Sequence, residues 1–480
     1  MKYKHALFLN PYLESASTSI MGVFPPTGLE YVATSAKDFV EKLTLLDLRY
    51  EKDLSDPNKL ADFIRKEKID IVCASIRWDR QFEDVCVRLN LLPDNIPLVI
   101  GGYKATERVQ ELFSICPNTQ IIARGEAEET IKEILKDAPL ENILGISYRK
   151  NDKVIHNANR PLPDVNTVAI PDRDLRRYRY RIKMGDVNVT SATYDYILTA
   201  RGCPHNCKFC TFNINPLGQK RTYSARSINS VIEELESIKA DTVVFFDDNF
   251  AVEPKRAEKI CDLIIERKIR KRFIVQARIE IANHPSLLDK MIKAGFKVLL
   301  LGLESPHDHI LTQLNKGFDS NTVRKAFSML RKYPMFTHGS FIYGNIGEVE
   351  EEMMCIPKFA KEIGVDSIAC SKLRVDKYSP LKELAKRTPG YHVTDRGEGY
   401  SDMYSHPALK KIGKRIKFSF YTPFKILKIS WKFLTIGLFT FREIISFIIA
   451  APFLLKVLLV KEIQKKRLGD SLRRIFISNK

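Results

Sequence analysis

Cys203, Cys207 and Cys210 stand within eight residues, in the stretch Arg201-Gly202-Cys203-Pro204-His205-Asn206-Cys207-Lys208-Phe209-Cys210. Three thiolates from one short loop can hold three corners of a cubic iron–sulfur cluster. The fourth iron is then open to a small molecule that can coordinate there and receive an electron. A structural zinc site is the alternative. It wants four Cys or His ligands, and only His205 offers a local fourth, with no second C-x2-C pair elsewhere in the chain. The ligand count favours the cluster. Cys73, Cys86, Cys116, Cys261, Cys355 and Cys370 stand singly in apolar surroundings and read as small core residues.

A metal loop needs a rigid scaffold, and the chain alternates short apolar runs with amphipathic stretches. In residues 1–140 strands are predicted at Ala6–Leu9, Leu43–Leu46, Ile69–Ser75, Leu98–Ile100 and Gln120–Ala123, with helical stretches such as Gly28–Phe39 and Leu60–Lys66 between them. Near-continuous apolar strands separated by helices imply a parallel, doubly wound α/β sheet. Ligands on such sheets sit at the carboxyl ends of the strands. Residues 141–190 read as a hairpin (Gly145–Arg149, Val154–His156) followed by a Pro- and Arg-rich linker.

Alternation resumes over 191–395, with strands expected at Tyr196–Ala200, Thr242–Phe246, Phe273–Gln276, Val298–Leu303, Thr337–Ile342 and Ser367–Ala369. Helices such as Ser227–Ile238 and Pro254–Arg267 separate them, the second with proline in its first turn. The cysteine loop follows the first of these six strands. Parallel barrels carry their sites at that end of the strands.

The C-x3-C and C-x2-C spacing, with Phe209 before the last cysteine, resembles that of the radical S-adenosylmethionine (SAM) enzymes. The resemblance implies a partial (βα)6 barrel. It also implies a [4Fe–4S] cluster on Cys203, Cys207 and Cys210, and SAM bound at the open iron and cleaved to a 5′-deoxyadenosyl radical. Further motifs follow the strands in the family's order: Phe246-Asp247-Asp248-Asn249-Phe250, Val275-Gln276-Ala277-Arg278, Leu301-Gly302-Leu303-Glu304-Ser305 and the glycine segment Gly339 to Gly347. By resemblance Phe209 and Gly344 lie near the adenine and Asp247 or Asp248 takes the SAM amino group. Glu304 accepts from the ribose, and Gln276 and Arg278 complete the SAM-binding set.

The first 140 residues resemble the cobalamin-binding domain that precedes the barrel in one branch of that family. The matching pieces are Phe24-Pro-Pro-Thr-Gly-Leu-Glu-Tyr31, Val99-Ile-Gly-Gly102 and Ala123-Arg-Gly-Glu-Ala-Glu128. They imply a cobalamin crevice at Gly28, Ser75, Gly101, Gly102, Gly125 and Glu126. The Asp-x-His-x-x-Gly motif that supplies a cobalt ligand elsewhere is missing, and His5 is the only histidine before His156. An empty Rossmann-like domain is the alternative.

The net charge of +19 is uneven: from Lys410 onward 17 Lys/Arg face only Glu443, Glu462 and Asp470, a net of +14. Residues 396–480 read as basic, apolar and helical, and the longest uncharged run, Ile444–Leu455, is 12 residues. Spanning a bilayer takes about 20, so interfacial helices are expected. Lys425, Lys428 and Lys432 should face headgroups, with Leu427, Phe433 and the Ile444–Leu455 run in the acyl boundary. An ordinary helical domain packed on the barrel, its lysines in water, is the alternative. No motif that reads nucleic acid accompanies the charge, so no nucleic-acid partner is expected.

The Phe-x-Asp-Asp-Asn-Phe region and domain order most resemble the branch containing hopanoid, bacteriochlorophyll and glutamine C-methyltransferases and tetraether-lipid ring synthases. That resemblance implies a cobalamin-dependent C-methyltransferase acting on an unactivated carbon, and the basic tail points to a lipid or other membrane-associated substrate. A peptide substrate, a ring-forming or rearranging reaction without methyl transfer, and a non-catalytic cobalamin- or membrane-binding module are the alternatives. An electron donor of flavodoxin or ferredoxin type is implied. The apolar run Ala6–Leu9 is too short for a signal peptide, and the cysteines suit a reducing compartment. A cytoplasmic enzyme, peripheral at the inner face of the membrane, is expected.

Overall fold

The computed structural model describes residues 2–13, 24–79, 81–151, 153–184, 187–210, 214–446 and 449. Two seven-stranded sheets organise them. The first contains β1 (His5–Asn10), β2 (Lys42–Asp47), β3 (Ile71–Ser75), β4 (Leu98–Gly101), β5 (Thr119–Ala123), β6 (Ile146–Lys150) and β7 (Lys153–His156), in the order β2-β1-β3-β4-β5-β6-β7. The first five run parallel, and β6 and β7 extend the edge as an antiparallel hairpin. Every residue of β1 is buried, as a strand covered on both faces requires. The helix Pro57–Lys66 shows how the intervening segments start: the Asp56 side chain accepts from the backbone N–H of Asn58 and Lys59, with Pro57 at the first position.

The second sheet is a curled half-barrel built on β8 (Arg181–Met184), β9 (Val187–Ile197), β12 (Thr242–Phe245), β13 (Arg272–Ala277), β14 (Phe296–Glu304), β15 (Phe336–Tyr343) and β16 (Ser367–Lys372). A two-stranded ribbon, β10 (Ala200–Arg201) with β11 (Ser224–Ala225), frames the cysteine loop. From β9 to β16 the six main strands are parallel, and β8 pairs antiparallel at the edge. The helices outside the sheet bury a core that includes Phe245, Phe273, Phe296 and Phe327.

One expectation is corrected here. The first barrel strand is not Tyr196–Ala200: it begins at Val187, ends at Ile197 and pairs with β12 from Tyr194 to Ile197. The polar residues between Val187 and Tyr196 interrupt the near-continuous apolar run by which a parallel strand is read from sequence.

Two lysines of the tail are placed differently from either expectation. The helix His406–Phe420 buries Leu409, Ile412, Ile416 and Phe420 in the barrel core. Gly413 lets it lie against Tyr343, whose hydroxyl would stand 2.3 Å from a Cβ there. The helix Pro423–Thr435 is capped by the Thr422 side chain, which accepts from the Lys425 N–H. Lys425 and Lys432 do not face outward: Lys425 Nζ donates to the Val365 carbonyl at 2.7 Å and Lys432 Nζ to Asp366 Oδ2 at 2.5 Å. Phe433 packs on Phe336, ring centroids 4.6 Å apart. Leu427 is exposed, as is Lys428. The barrel rim supplies the acceptors that turn the lysine stripe inward, so apolar side chains are left facing water. Most of Ile444–Leu455 lies outside the described residues. Among those described, no helix is long and apolar enough to cross a membrane.

Candidate active site

The loop that carries the cysteines leaves the sheet at the carboxyl end of β9 and is held from several sides. Gly202 has φ +85°, and a Cβ there would lie 2.7 Å from the Arg221 carbonyl oxygen, so only glycine fits. Its N–H donates to Asp248 Oδ2 at 2.9 Å. The Lys208 N–H donates to the Leu314 carbonyl, and the Ser379 hydroxyl donates to the Lys208 carbonyl. Cys203, Cys207 and Cys210 are all half-buried. Among the described residues no three His, Cys, Asp or Glu side chains close around a single metal ion. A cubic cluster asks for something different, one thiolate on each of three irons.

Asp247 is fully engaged with the approach to this loop. Its Oδ1 accepts from the N–H of Thr199 at 2.6 Å and of Ala200 at 3.2 Å, and the Thr199 hydroxyl donates to Oδ2. Burial pushes the Asp247 carboxyl up to about 6 in spite of these bonds, and burial also raises Asp248. Between the ordinary Asp value and about 6 the folded protein holds a proton that the unfolded chain releases. Stability therefore falls as pH rises through this window, by about 3 kcal/mol at most, and is flat above it. Asp247→Asn is expected to remove this component, read as a smaller difference between urea midpoints at pH 4.5 and 7 than in the parent. An unchanged difference would place the proton elsewhere.

The other residues expected at the SAM site are placed as follows. Phe209 lines a small cleft with Cys207 and Cys210, and also the barrel lumen. Gln276 and Glu304 line the lumen as well. Arg278 is largely spent on Glu280 and the Lys316 carbonyl, but one Nη stands 3.5 Å from Cys207 Sγ. Gly344, at φ +69°, belongs to a separate cavity of about 380 Å³ with Asn345 and Glu348.

Two groups escaped the sequence reading. Lys316 makes a buried ion pair with Glu304, Nζ to Oε1 2.9 Å, and lies 5.7 Å from the Phe209 ring centroid. Arg201, two residues before Cys203, pairs with Glu126 and with Glu128, the latter at 2.8 Å, and Arg221 reaches Glu126 at 2.9 Å. Glu126 thus ties the first sheet to the cysteine loop.

Gly28, Ser75, Gly101, Gly102, Gly125 and Glu126 converge on one cavity of about 660 Å³ at the carboxyl ends of the first sheet. Gly102, at φ +105°, would put a Cβ 2.7 Å from the Ile76 carbonyl oxygen, so its turn demands glycine. At Gly28 a Cβ would meet nothing within 4 Å; the missing side chain widens the cavity and relieves no clash. A second cavity, about 940 Å³, fills the half-barrel lumen. The two share Val244, Phe246, Gln276 and Leu300 as a common wall.

Residues 197–359 match the model of the radical SAM superfamily. Those residues make up a radical SAM domain. The match begins at the last residue of β9 and takes in the cysteine loop and β12 to β15. The enzyme is 29% identical to an uncharacterized methyltransferase of Pyrococcus horikoshii over 76% of its own chain and 80% of that protein. It is 25% identical to the anaerobic magnesium-protoporphyrin IX monomethyl ester cyclase of Cereibacter sphaeroides, covering 72% of its own chain and 58% of that one. With the hopanoid C-3 methylase of Methylococcus capsulatus it shares 24% identity over 58% of its chain and 53% of the relative.

Two solved structures share its fold. One is the radical SAM methyltransferase TsrM of Kitasatospora setae, with cobalamin and a [4Fe–4S] cluster bound (TM-score 0.64, 17% identity, 81% of this chain and 77% of that chain). The other is the cobalamin-dependent SAM radical enzyme OxsB with aqua-cobalamin and SAM bound (TM-score 0.60, 15% identity, 87% and 57%).

Proposed function

We propose that the enzyme is a cobalamin-dependent C-methyltransferase that acts on an unactivated carbon of a lipid or other membrane-associated substrate. The observation that carries this reading is the common wall of the two cavities. A cofactor compartment in the first domain and a substrate compartment in the barrel meet at Val244, Phe246, Gln276 and Leu300, beside the cysteine loop. In this reading Cys203, Cys207 and Cys210 hold the cluster, Asp248 and Gly202 fix the loop, and Glu304, oriented by Lys316, accepts from a hydroxyl of SAM. Asp247 acts on the loop backbone, where its hydrogen bonds already lie, and Arg278 brings positive charge to Cys207.

The first-domain cavity suits a flat, wide ligand, because Gly28 opens it where a side chain would fit and Gly101 and Gly125 keep its floor low. Bound there, cobalamin supplies a methyl group, and SAM on the cluster supplies the radical that prepares the substrate carbon. Among the described residues no histidine lines this cavity. His5 lies at the opposite end of β1, its ring bonded to the Glu67 carbonyl and the Thr44 hydroxyl.

Labelling the protein's histidines with 15N is therefore expected to leave the electron paramagnetic resonance spectrum of the Co(II) form unchanged. A changed spectrum, or no cobalt retained after reconstitution, would overturn the assignment of this cavity. The reaction itself is tested by a mass gain of one methyl group in lipid extracts of an expressing host, absent with a Cys203/Cys207/Cys210→Ala variant. The cyclase relative favours a second reading, a radical ring closure, and its product would lose hydrogen in the same extracts instead of gaining a methyl group.

A further inference from the structure

The lumen is longer than a reaction at its cysteine end requires. From Val298 to Glu304, β14 lines it along its length, about 20 Å of strand. The polarity is graded. At the carboxyl ends of the strands the lining carries charge, on Glu304, Lys372, Arg374 and Asp376; the other end is largely apolar, with Val298, Phe336, Ile429, Phe433, Leu438 and Phe439 beside His338, Ser367 and Tyr421. The apolar end is closed by the tail helix Pro423–Thr435 and the residues just after it, which pack on Val298 and Phe336.

The outer face of that plug is also apolar. Phe424, Leu427, Trp431 and Leu434 recur on one side of the helix and are 77, 68, 68 and 40% exposed, and Phe418 and Phe441, before and after the helix in the chain, are exposed as well. A contiguous patch of this kind marks an interaction surface. The charge around it is positive. Lys239, Arg270, Lys332, Lys428 and Arg442 are exposed at this end of the barrel, as are the acids Glu236 and Glu266, while Asp241 is engaged by Thr193, Asp366 by Thr337 and Lys432, and Glu443 by Arg272.

We propose that this end of the barrel rests on an anionic bilayer. The hydrocarbon chain of a substrate lipid occupies the lumen, entering past the tail helix with its polar end toward the cysteines. The inference rests on the lipid reading above and adds the route and the orientation. A lipid in a leaflet already presents its polar end to a protein docked on the surface, so it can rise head first. The polar groups then meet Gln276, Glu304 and Arg374, and the chain stays against the phenylalanines. The apolar face supplies buried area and the cationic rim supplies attraction, the two components that interfacial binding needs.

Two measurements test it, neither needing cluster or cobalamin. The chain has two tryptophans, so Trp78→Phe leaves Trp431 as the only reporter. Its fluorescence should be quenched by phosphatidylglycerol vesicles carrying bromine on the acyl chains. No quenching at low salt overturns the proposal. So does quenching that appears only after residues 450–480 are deleted, which would assign the face to that segment, or burial of Trp431 in a dimer seen by sedimentation.

For the lumen, stearic acids carry a photoreactive diazirine either at the chain end or beside the carboxylate. The first should label peptides containing Val298, Phe336 or Phe433, and the second those containing Gln276 or Arg374. The reverse pattern, or labelling confined to the outer face of the tail helix, overturns the orientation. Ala369→Trp, which fills the lumen part-way along β16, is expected to abolish labelling and leave Trp431 quenching in place; unchanged labelling would overturn the lumen site. A protein that labels as expected but transfers no methyl group keeps this assignment and loses the proposed reaction.

Discussion

Each of Cys203→Ala, Cys207→Ala and Cys210→Ala is expected to abolish SAM cleavage, seen as loss of 5′-deoxyadenosine under anaerobic reducing conditions. In the proposed assignment each change removes the thiolate from one iron, and the loop from Gly202 to Tyr223 contains no fourth cysteine to replace it. The iron–sulfur absorbance of the anaerobically purified protein should fall with the activity. Cys261→Ala is the control: that thiol is fully buried in the barrel core and pushed up to about 12 by burial. Its loss should cost packing only, with cleavage intact. Wild-type cleavage in any one of the three loop variants would remove the cluster from this loop.

The second large effect is expected at Lys316. Its ammonium and the Glu304 carboxylate are both buried, and Glu304 sits at φ +64°, a conformation that its neighbours must hold in place. Lys316→Met leaves the carboxylate buried and unpaired, a loss of about 3–5 kcal/mol in unfolding free energy. Glu304→Gln in the same chain removes the stranded charge and should restore most of it. Denaturant midpoints of the two singles and the double give the coupling. If the double variant is as unstable as Lys316→Met, the pair is not what holds this strand end. The same variants separate stability from binding, because the double should fold and yet bind SAM weakly.

What could be read from the chain alone follows its local physics. The cysteine loop was legible because one metal site needs its ligands at short spacing, and that spacing survives in the written order. The six residues of the first-domain cavity were legible for a related reason: each ends or follows a short apolar strand, and the parallel sheet gathers those ends. Lys316 gave no such signal. It lies 12 residues beyond Glu304, and only the path of the chain through the short helix Asp308–Gln313 after β14 brings the two together. The long β9 was missed because its polar residues face neighbours that the sequence does not name, such as Asp241 for Thr193. The tail was misread for a similar cause. Lysines on one helical face imply water until the partner surface is known, and here that surface offers Asp366 and the Val365 carbonyl.

The charges between the first sheet and the barrel bear on how such a protein can change over time. Glu30, in the helix Thr27–Ala36, accepts from Arg176 and from the hydroxyl of Tyr196; Arg176 also holds Asp195, and Arg173 links Asp195 to Glu234. All of these carboxylates are buried. Buried pairs add little net stability, yet losing one partner is costly, so the network acts as a key cut for one lock. A barrel transplanted from a relative would not seat on this first domain unless it brought Arg173, Arg176, Asp195, Tyr196 and Glu234 together to meet Glu30. The two halves are joined in one chain, and their buried charges make them an inherited unit and not interchangeable parts.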